Sequence, residues 1–283
     1  MRIHGIRYAG VCLAALALAA LPLAAQEKAK EAPKAKPAAQ SKPMAAPAEA
    51  PKEKPATIGR VYVTEPKEGM AAQYEAGRKK HMDWHRRQND ASAWLTWEIL
   101  TGERAGSYVT GTFNHHWKDF DAWAKMEDAD NADAAINLDP YTDDSSNSIV
   151  SLLPRVSRPV EGATTPAAMS QVIHIHLNPG ATDDFMNCIK QFHDAIGKTK
   201  WPVNYNWYGV VNGGESPMFI LSIPAKDWAS MEGPEMPFAA MLEKALGKAA
   251  ADALRKAYAK TIHCQKSELV RFRPDLSYIP ATR

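Results

Sequence analysis

Imidazoles that stand among indoles are the groups in this sequence best suited to chemistry. A histidine can accept a proton or hold a metal near neutral pH, and tryptophan walls an apolar pocket. Met70, Tyr74, Gly77, His81 and Trp84 recur three or four apart, the spacing of one helix face. That stripe turns His81 inward and makes it the candidate catalytic residue, with Tyr74 and Trp84 as candidate ligand contacts; a hydrogen-bonded core histidine is the competing reading. His85 follows His81 by one helical turn, where two imidazoles can share a metal ion. No third ligand stands near them in the sequence, so no metal site is assigned.

Further candidates lie along the chain. His116 and Trp117 sit where a strand gives way to a helix, with Asn114 placed to cap that helix. Trp97 lies on the strand before, and these three complete the candidate ligand contacts. His174 and His176 alternate with Ile173, Ile175 and Leu177, so period two sends both imidazoles to one face, toward Asn206 and Tyr208 on a neighbouring strand. The acidic run Glu127 to Asp133 fails as a calcium loop, because Ala132 and Asp133 stand where an oxygen ligand and glycine are needed; it reads as a solvated helix end. No glycine-rich phosphate loop, G-x-S-x-G, H-E-x-x-H or C-x-x-C occurs, which removes the simple kinase and hydrolase readings.

The elements that must position these residues come twice. A strand at Arg60 to Thr64 leads to the helix of Tyr74, Gly77 and His81, and a strand at Val172 to Leu177 leads to one with Phe185, Cys188 and Phe192. Each of those three pairs is separated by 111 positions, and Trp97 and Trp207 by 110. Such a period marks a duplicated domain. Each half reads strand, helix, strand, strand, helix, strand; in the first half these fall at about 58–64, 69–88, 93–101, 107–113, 117–136 and 148–154. The second half carries one long helix from Phe238 to Ile262. Where the first half places His81, the second places Phe192.

A βαββαβ unit gives a four-stranded antiparallel sheet with its helices on one face. On element order and the internal repeat over residues 58–274, the chain resembles the dimeric α/β-barrel superfamily, whose members include antibiotic-biosynthesis monooxygenases, haem-degrading oxygenases and chlorite dismutases. The resemblance implies an α+β fold of two tandem ferredoxin-like repeats packed sheet to sheet as a fused barrel. It also implies a ligand between sheet and helices, with haem as an admissible but not required cofactor. The asparagine and tryptophan that haem-degrading members carry on their first and third strands are missing here.

The ends of the chain speak to its address. Arg2 and Arg7, an apolar run from Val11 and Leu23-Ala-Ala25 read as a signal peptide over residues 1–25. Residues 26–57 are an Ala/Lys/Pro tether too poor in apolar residues to fold, followed by repeat 1 at 58–156, a linker at 157–169 and repeat 2 at 170–283. The protein is therefore expected to be exported, periplasmic or secreted, with no transmembrane span after cleavage. The 283-residue chain has net charge +2, but the leader carries +2 and the tether +3, leaving −3 on the rest. An acidic folded part disfavours a nucleic-acid partner. Cys188 and Cys264 can pair in an oxidising compartment, although sequence does not bring their Cα atoms within the ~7 Å required.

These observations support an exported protein that encloses a small apolar or aromatic ligand between the sheet and helices of its first half. An oxidoreductase using the same cavity, with His81 as proton acceptor or axial haem ligand, is the second reading. An envelope interaction module without a pocket is the third.

Overall fold

The computed structural model describes residues 55–280. The leader and nearly all of the tether lie outside the described residues. β1 (Ile58–Pro66), α1 (Ala71–Arg87), β2 (Leu95–Ile99), β3 (Tyr108–His115), α2 (Trp117–Trp123), α3 (Glu127–Asn137) and β4 (Thr142–Leu152) are followed by β5 (Met169–Leu177), α4 (Thr182–Thr199), β6 (Asn206–Asn212), β7 (Met218–Ala225), α5 (Phe238–Leu246), α6 (Lys248–Thr261) and β8 (Ile262–Phe272). All eight strands pair antiparallel in one closed barrel, in the order β1-β3-β2-β8-β5-β7-β6-β4.

The expected barrel forms, but the halves join edge to edge instead of stacking sheet on sheet. β2 pairs with β8 through Trp97 and Phe272, and β4 pairs with β6 through Val150 and Val210. Edge joining satisfies the open backbone groups that two separate sheets would leave at their borders, which is why closure wins over stacking. Two further expectations change. Helix 117–136 is two helices, α2 and α3, and the long helix from Phe238 is broken at Gly247, whose φ of +82° a helix cannot contain.

Each half is also latched to the other after its last strand. Pro154–Val156 form a 3-10 turn that leads to Ser157, whose Oγ accepts from Trp207 N at 2.9 Å, and Arg158 then bridges to Tyr205. Pro274–Leu276 do the same, with Ser277 Oγ accepting from Thr96 N at 2.9 Å and Tyr278 bridging to Trp94. The residues read as a linker thus begin as a structural tie.

The two halves bury different things. α4 turns Phe185, Cys188, Ile189, Phe192 and Ile196 into one large apolar cluster with Ile175, Leu177, Trp207 and the α5–α6 pair. α1 buries Arg78, His81 and His85 instead, and the apolar clusters beside it are small: Tyr74 with Tyr108 and Leu276, and Met82 with Trp94 and Tyr278. Charged and imidazole groups in a core cost stability unless something partners them, so the first half is where a site is expected. Cys188 and Cys264 are free: Cys188 points into the α4 core, while Cys264 lies on β8 opposite His176, so no bridge forms.

Candidate metal centre

Three side-chain atoms from two helices converge between those small clusters. His81 and His85 project from α1, and Asp130 from the facing α3. Asp130 Oδ1 lies 3.4 Å from His81 Nε2 and 3.4 Å from His85 Nε2, and all three atoms lie within 4.8 Å of one another. The helices come this close because position 77 is glycine: a Cβ there would stand 1.8 Å from the carbonyl oxygen of Asn137, at the end of α3. The acidic run is solvated at Glu127 and Asp128, as expected, but packing on Gly77 turns Asp130 and Asp133 onto the histidines.

Carboxyl groups fix both rings from behind. Asp133 Oδ2 accepts from His81 Nδ1 at 2.8 Å, and Asp90 Oδ2 accepts from His85 Nδ1 at 2.9 Å. Asp133 is held by Asn137 Nδ2 at 3.1 Å, and Asp90 by Trp94 Nε1 at 2.9 Å and Ser92 N at 2.8 Å. Asp90 reaches back because Asn89, with φ of +53°, turns the chain as α1 ends. A carboxylate only accepts, so each Nδ1 carries the ring proton and each Nε2 presents a lone pair to the centre.

Those lone pairs face an acceptor. His85 is 1% exposed, yet neither its Nε2 nor Asp130 Oδ1 has a hydrogen-bond partner. Burial, and then the charge of Arg78, hold His81 down at about 4 despite Asp133, which keeps the ring neutral at pH 7. Burial pushes Asp130 up, more than the nearby charges of His85 and Arg78 pull it down. A cation at the centre would satisfy all three atoms. With metal–ligand bonds of ~2.0–2.2 Å, tetrahedral neighbours sit roughly 3.3–3.6 Å apart, which matches the two edges of 3.4 Å. Two imidazoles and a carboxylate suit Zn, Fe, Ni or Cu, and three protein ligands leave a position for a substrate.

Aromatic rings enclose the centre. Trp84 lies parallel to His81 at 6.0 Å, and Trp94 and Tyr278 flank His85 at 5.0 and 6.2 Å. On the sheet side a cleft of about 200 Å³ opens, lined by Arg60, Tyr62, Phe120, Trp123 and Asp130 itself. The Arg60 guanidinium lies over the Tyr62 and Trp123 rings, and burial pushes the Tyr62 phenol up to about 12 in spite of it. A cavity of ~150 Å³ holds benzene, so this cleft has room for a single ring.

Of the residues singled out from sequence, the structure brings together His81, His85 and Trp84. Tyr74 is fully buried against Tyr108 and does not line the 200 Å³ cleft, because it lies nearly two turns before His81 where the helix meets β3. Trp97 alternates with Thr96 on β2, which sends its ring into the barrel beside Phe113 and Phe272, on the opposite sheet face. His116 and Trp117 line a separate cleft of about 600 Å³ with Ile58, Leu153 and Val156. The position that caps α2 is His116, with Asp119 Oδ2 accepting from its backbone N–H, while Asn114 turns the chain at φ +63°. On β5 the aliphatics face the helix-side core as expected, but the histidines find other partners: His174 meets Arg104 at 3.1 Å, and His176 meets Glu215 at 3.1 Å.

Asp90, Trp94, Asp130, Asp133, Arg78 and Tyr278 were missed. The signal for the pair on α3 is the spacing Asp130-x-x-Asp133, which puts both on one helix face to meet His81 and His85.

No protein-family model matches the sequence, and no curated protein matches it. Solved structures do. A proposed monooxygenase from Lactobacillus acidophilus NCFM superposes with TM-score 0.51 at 8% identity, covering 81% of this chain and 97% of that one. Another proposed monooxygenase, from Fusobacterium nucleatum subsp. nucleatum, gives 0.50 at 12% identity, covering 77% and 92%. The likeness is one of fold. A chlorite dismutase variant from Candidatus Nitrospira defluvii gives 0.49 at 9% identity, covering 79% and 93%. Among the described residues, no helix is long and apolar enough to cross a membrane.

Proposed function

We propose that this protein is an exported, metal-dependent oxidoreductase in which His81, His85 and Asp130 hold a transition-metal ion and the adjoining cleft takes a small ligand. The convergence of two partnerless buried acceptors, His85 Nε2 and Asp130 Oδ1, with the neutral His81 ring carries the reading. A bound redox metal would supply electron transfer or oxygen activation. The chain's own residues orient the ligands through Asp90 and Asp133, exclude water with Trp84, Trp94 and Tyr278, and offer the Tyr62 phenol and the Arg60 charge to whatever enters. The proposed monooxygenases of similar fold favour redox chemistry over hydrolysis, and the leader and tether supply the exported address. The repeated element order and the paired serine latches support an origin by tandem duplication, after which the first half acquired the site.

Haem does not fit at His81. Its Nε2 faces Asp130, and its ring is packed on Trp84 at 6.0 Å and on His85 at 4.8 Å, which leaves no flat slot for a porphyrin.

Elemental analysis of the mature protein, purified without chelator, tests the reading. About one equivalent of iron, copper or nickel is expected, and loss of it in both His85→Ala and Asp130→Ala. Zinc as the resident ion would overturn the redox assignment, since zinc does not change oxidation state. Unchanged metal content in both variants would overturn the centre.

A further inference from the structure

Arg78 lies one helical turn before His81 on the same face of α1 and is 5% exposed. Its Nε and Nη2 have no hydrogen-bond partner. An arginine this deeply buried keeps its charge and normally spends its planar fork on a carboxylate or phosphate. The carboxyl groups nearby are committed elsewhere: Asp133 to His81 and Asn137, and Asp90 to His85, Ser92 and Trp94. Asp130 acts on it as a counter-charge but makes no hydrogen bond to its Nε or Nη2. Two N–H donors in the protein interior are thus left without an acceptor. Leaving such a group unpaired costs more than any ordinary contact repays, so the arrangement makes sense when an acceptor arrives.

The guanidinium acts on both walls of the site. Burial lowers His81 and raises the phenols of Tyr62 and Tyr74, and the Arg78 charge adds to the first and opposes the second; burial also lowers Arg78 itself, against which Asp130 favours its charged form. Arg78 lies one turn from His81 on the buried face of α1, and Asp130, which meets both histidines, also lines the 200 Å³ cleft, so Arg78 lies close to the junction of cleft and metal centre.

Resting on the metal reading above, we infer that the centre takes a small carboxylate, with one oxygen toward the metal and the other on the unpartnered donors of Arg78. The cleft volume limits that acid to about one ring; Phe120 and Trp123 supply apolar walls, and the Arg60 cation offsets the Glu127 carboxylate that also lines it. Arg78 is then a specificity residue, which selects an anionic ligand over a neutral one of the same shape.

Cobalt(II) loading of the mature protein, followed by benzoate titration read in the cobalt d–d absorption bands, tests this directly. Benzoate is expected to shift the bands, benzyl alcohol to leave them unchanged, and Arg78→Gln to load cobalt normally while binding benzoate at least about tenfold more weakly. Arg78→Lys keeps the charge but loses the fork, and serves if the glutamine variant does not fold; a weakening of about threefold or more is expected. Failure of the wild-type protein to load cobalt would overturn the metal centre itself. Normal cobalt loading with no benzoate response, or with equal benzoate affinity in the Arg78 variant that folds, would overturn only the carboxylate inference.

Discussion

Asp133 accepts the Nδ1 proton of His81 at 2.8 Å, and this bond decides which nitrogen of His81 faces Asp130 and His85. A histidine without such a partner can flip its ring or shift its tautomer, and the lone pair would then leave the centre. Carboxylates behind a ligating histidine typically change metal affinity 10- to 100-fold when removed. Asp133→Asn should therefore weaken metal binding by roughly tenfold or more while one equivalent still binds at saturation. Competition with a chromophoric chelator measures it, and an affinity equal to wild type would show that Asp133 does not orient the ring.

Gly77 has a different task, that of permitting contact. Alanine at a helical position normally stabilises by up to ~1 kcal/mol over glycine, but here the added Cβ meets backbone at Asn137 and only helix separation can relieve it. Gly77→Ala should lower the melting temperature by several degrees and weaken metal binding, since α3 carries both Asp130 and Asp133. Gly197→Ala is the control. It also lies in a helix, α4, with nothing within 4 Å of its Cβ position, so it should leave stability equal or raise it by ~0.5–1 kcal/mol. Thermal unfolding of the two variants side by side separates steric contact from helix propensity.

The strand and helix order was readable because hydrophobic periodicity is local, and the two halves confirm one another's alternation. The alignment of His81 with Phe192 also pointed to the half that buries its histidines. What periodicity does not encode is which residues face each other across 45 to 52 positions of chain. His85 meets Asp130 only because α2 and α3 break apart at Ala124–Met126, a break that the helix-forming residues there conceal. Trp94 escapes notice beside Trp97 for a simpler reason. Both are indoles on or beside the same strand, but only register against β3 and β8 shows that Trp97 faces the barrel interior.

Glu268 ties the halves together where β8 meets the loop after β2. Arg104 holds it with two bonds, of 2.8 and 2.7 Å, and His174 lies 3.5 Å away. Burial alone would raise this carboxyl, but hydrogen bonds from His174 and Arg104 and the Arg104 charge outweigh it and hold it at about 2. A folded-state value below the unfolded one stabilises the native state above the ordinary glutamate range, ~4.3, and that contribution is lost as pH falls toward 2. On the order of 2–3 kcal/mol is at stake. Glu268→Gln should be less stable than wild type at pH 7 and nearly equal to it at pH 2.5, as read by urea unfolding at the two values. An equal deficit at both would mean that the side chain contributes by packing, not by charge.

The two serine latches allow local stability to be separated from the site. Ser277 Oγ and Ser157 Oγ each satisfy one buried backbone N–H, of Thr96 and of Trp207, and losing either leaves that donor unpaired at a cost of about 1–3 kcal/mol. Their downstream neighbours differ. Tyr278, one residue after Ser277, lies against His85 and donates its hydroxyl to the carbonyl of Asp90 at 2.8 Å, so it buttresses the residue that orients His85. Arg158, one residue after Ser157, pairs with Tyr205, which belongs to the apolar core of the second half. Ser277→Ala and Ser157→Ala should therefore lower unfolding free energy by similar amounts, while only Ser277→Ala weakens metal binding. Chemical denaturation gives the first comparison and metal competition the second. If Ser157→Ala lowers metal affinity as much, the effect is one of global stability, and the second half does not contribute to the centre through Tyr278.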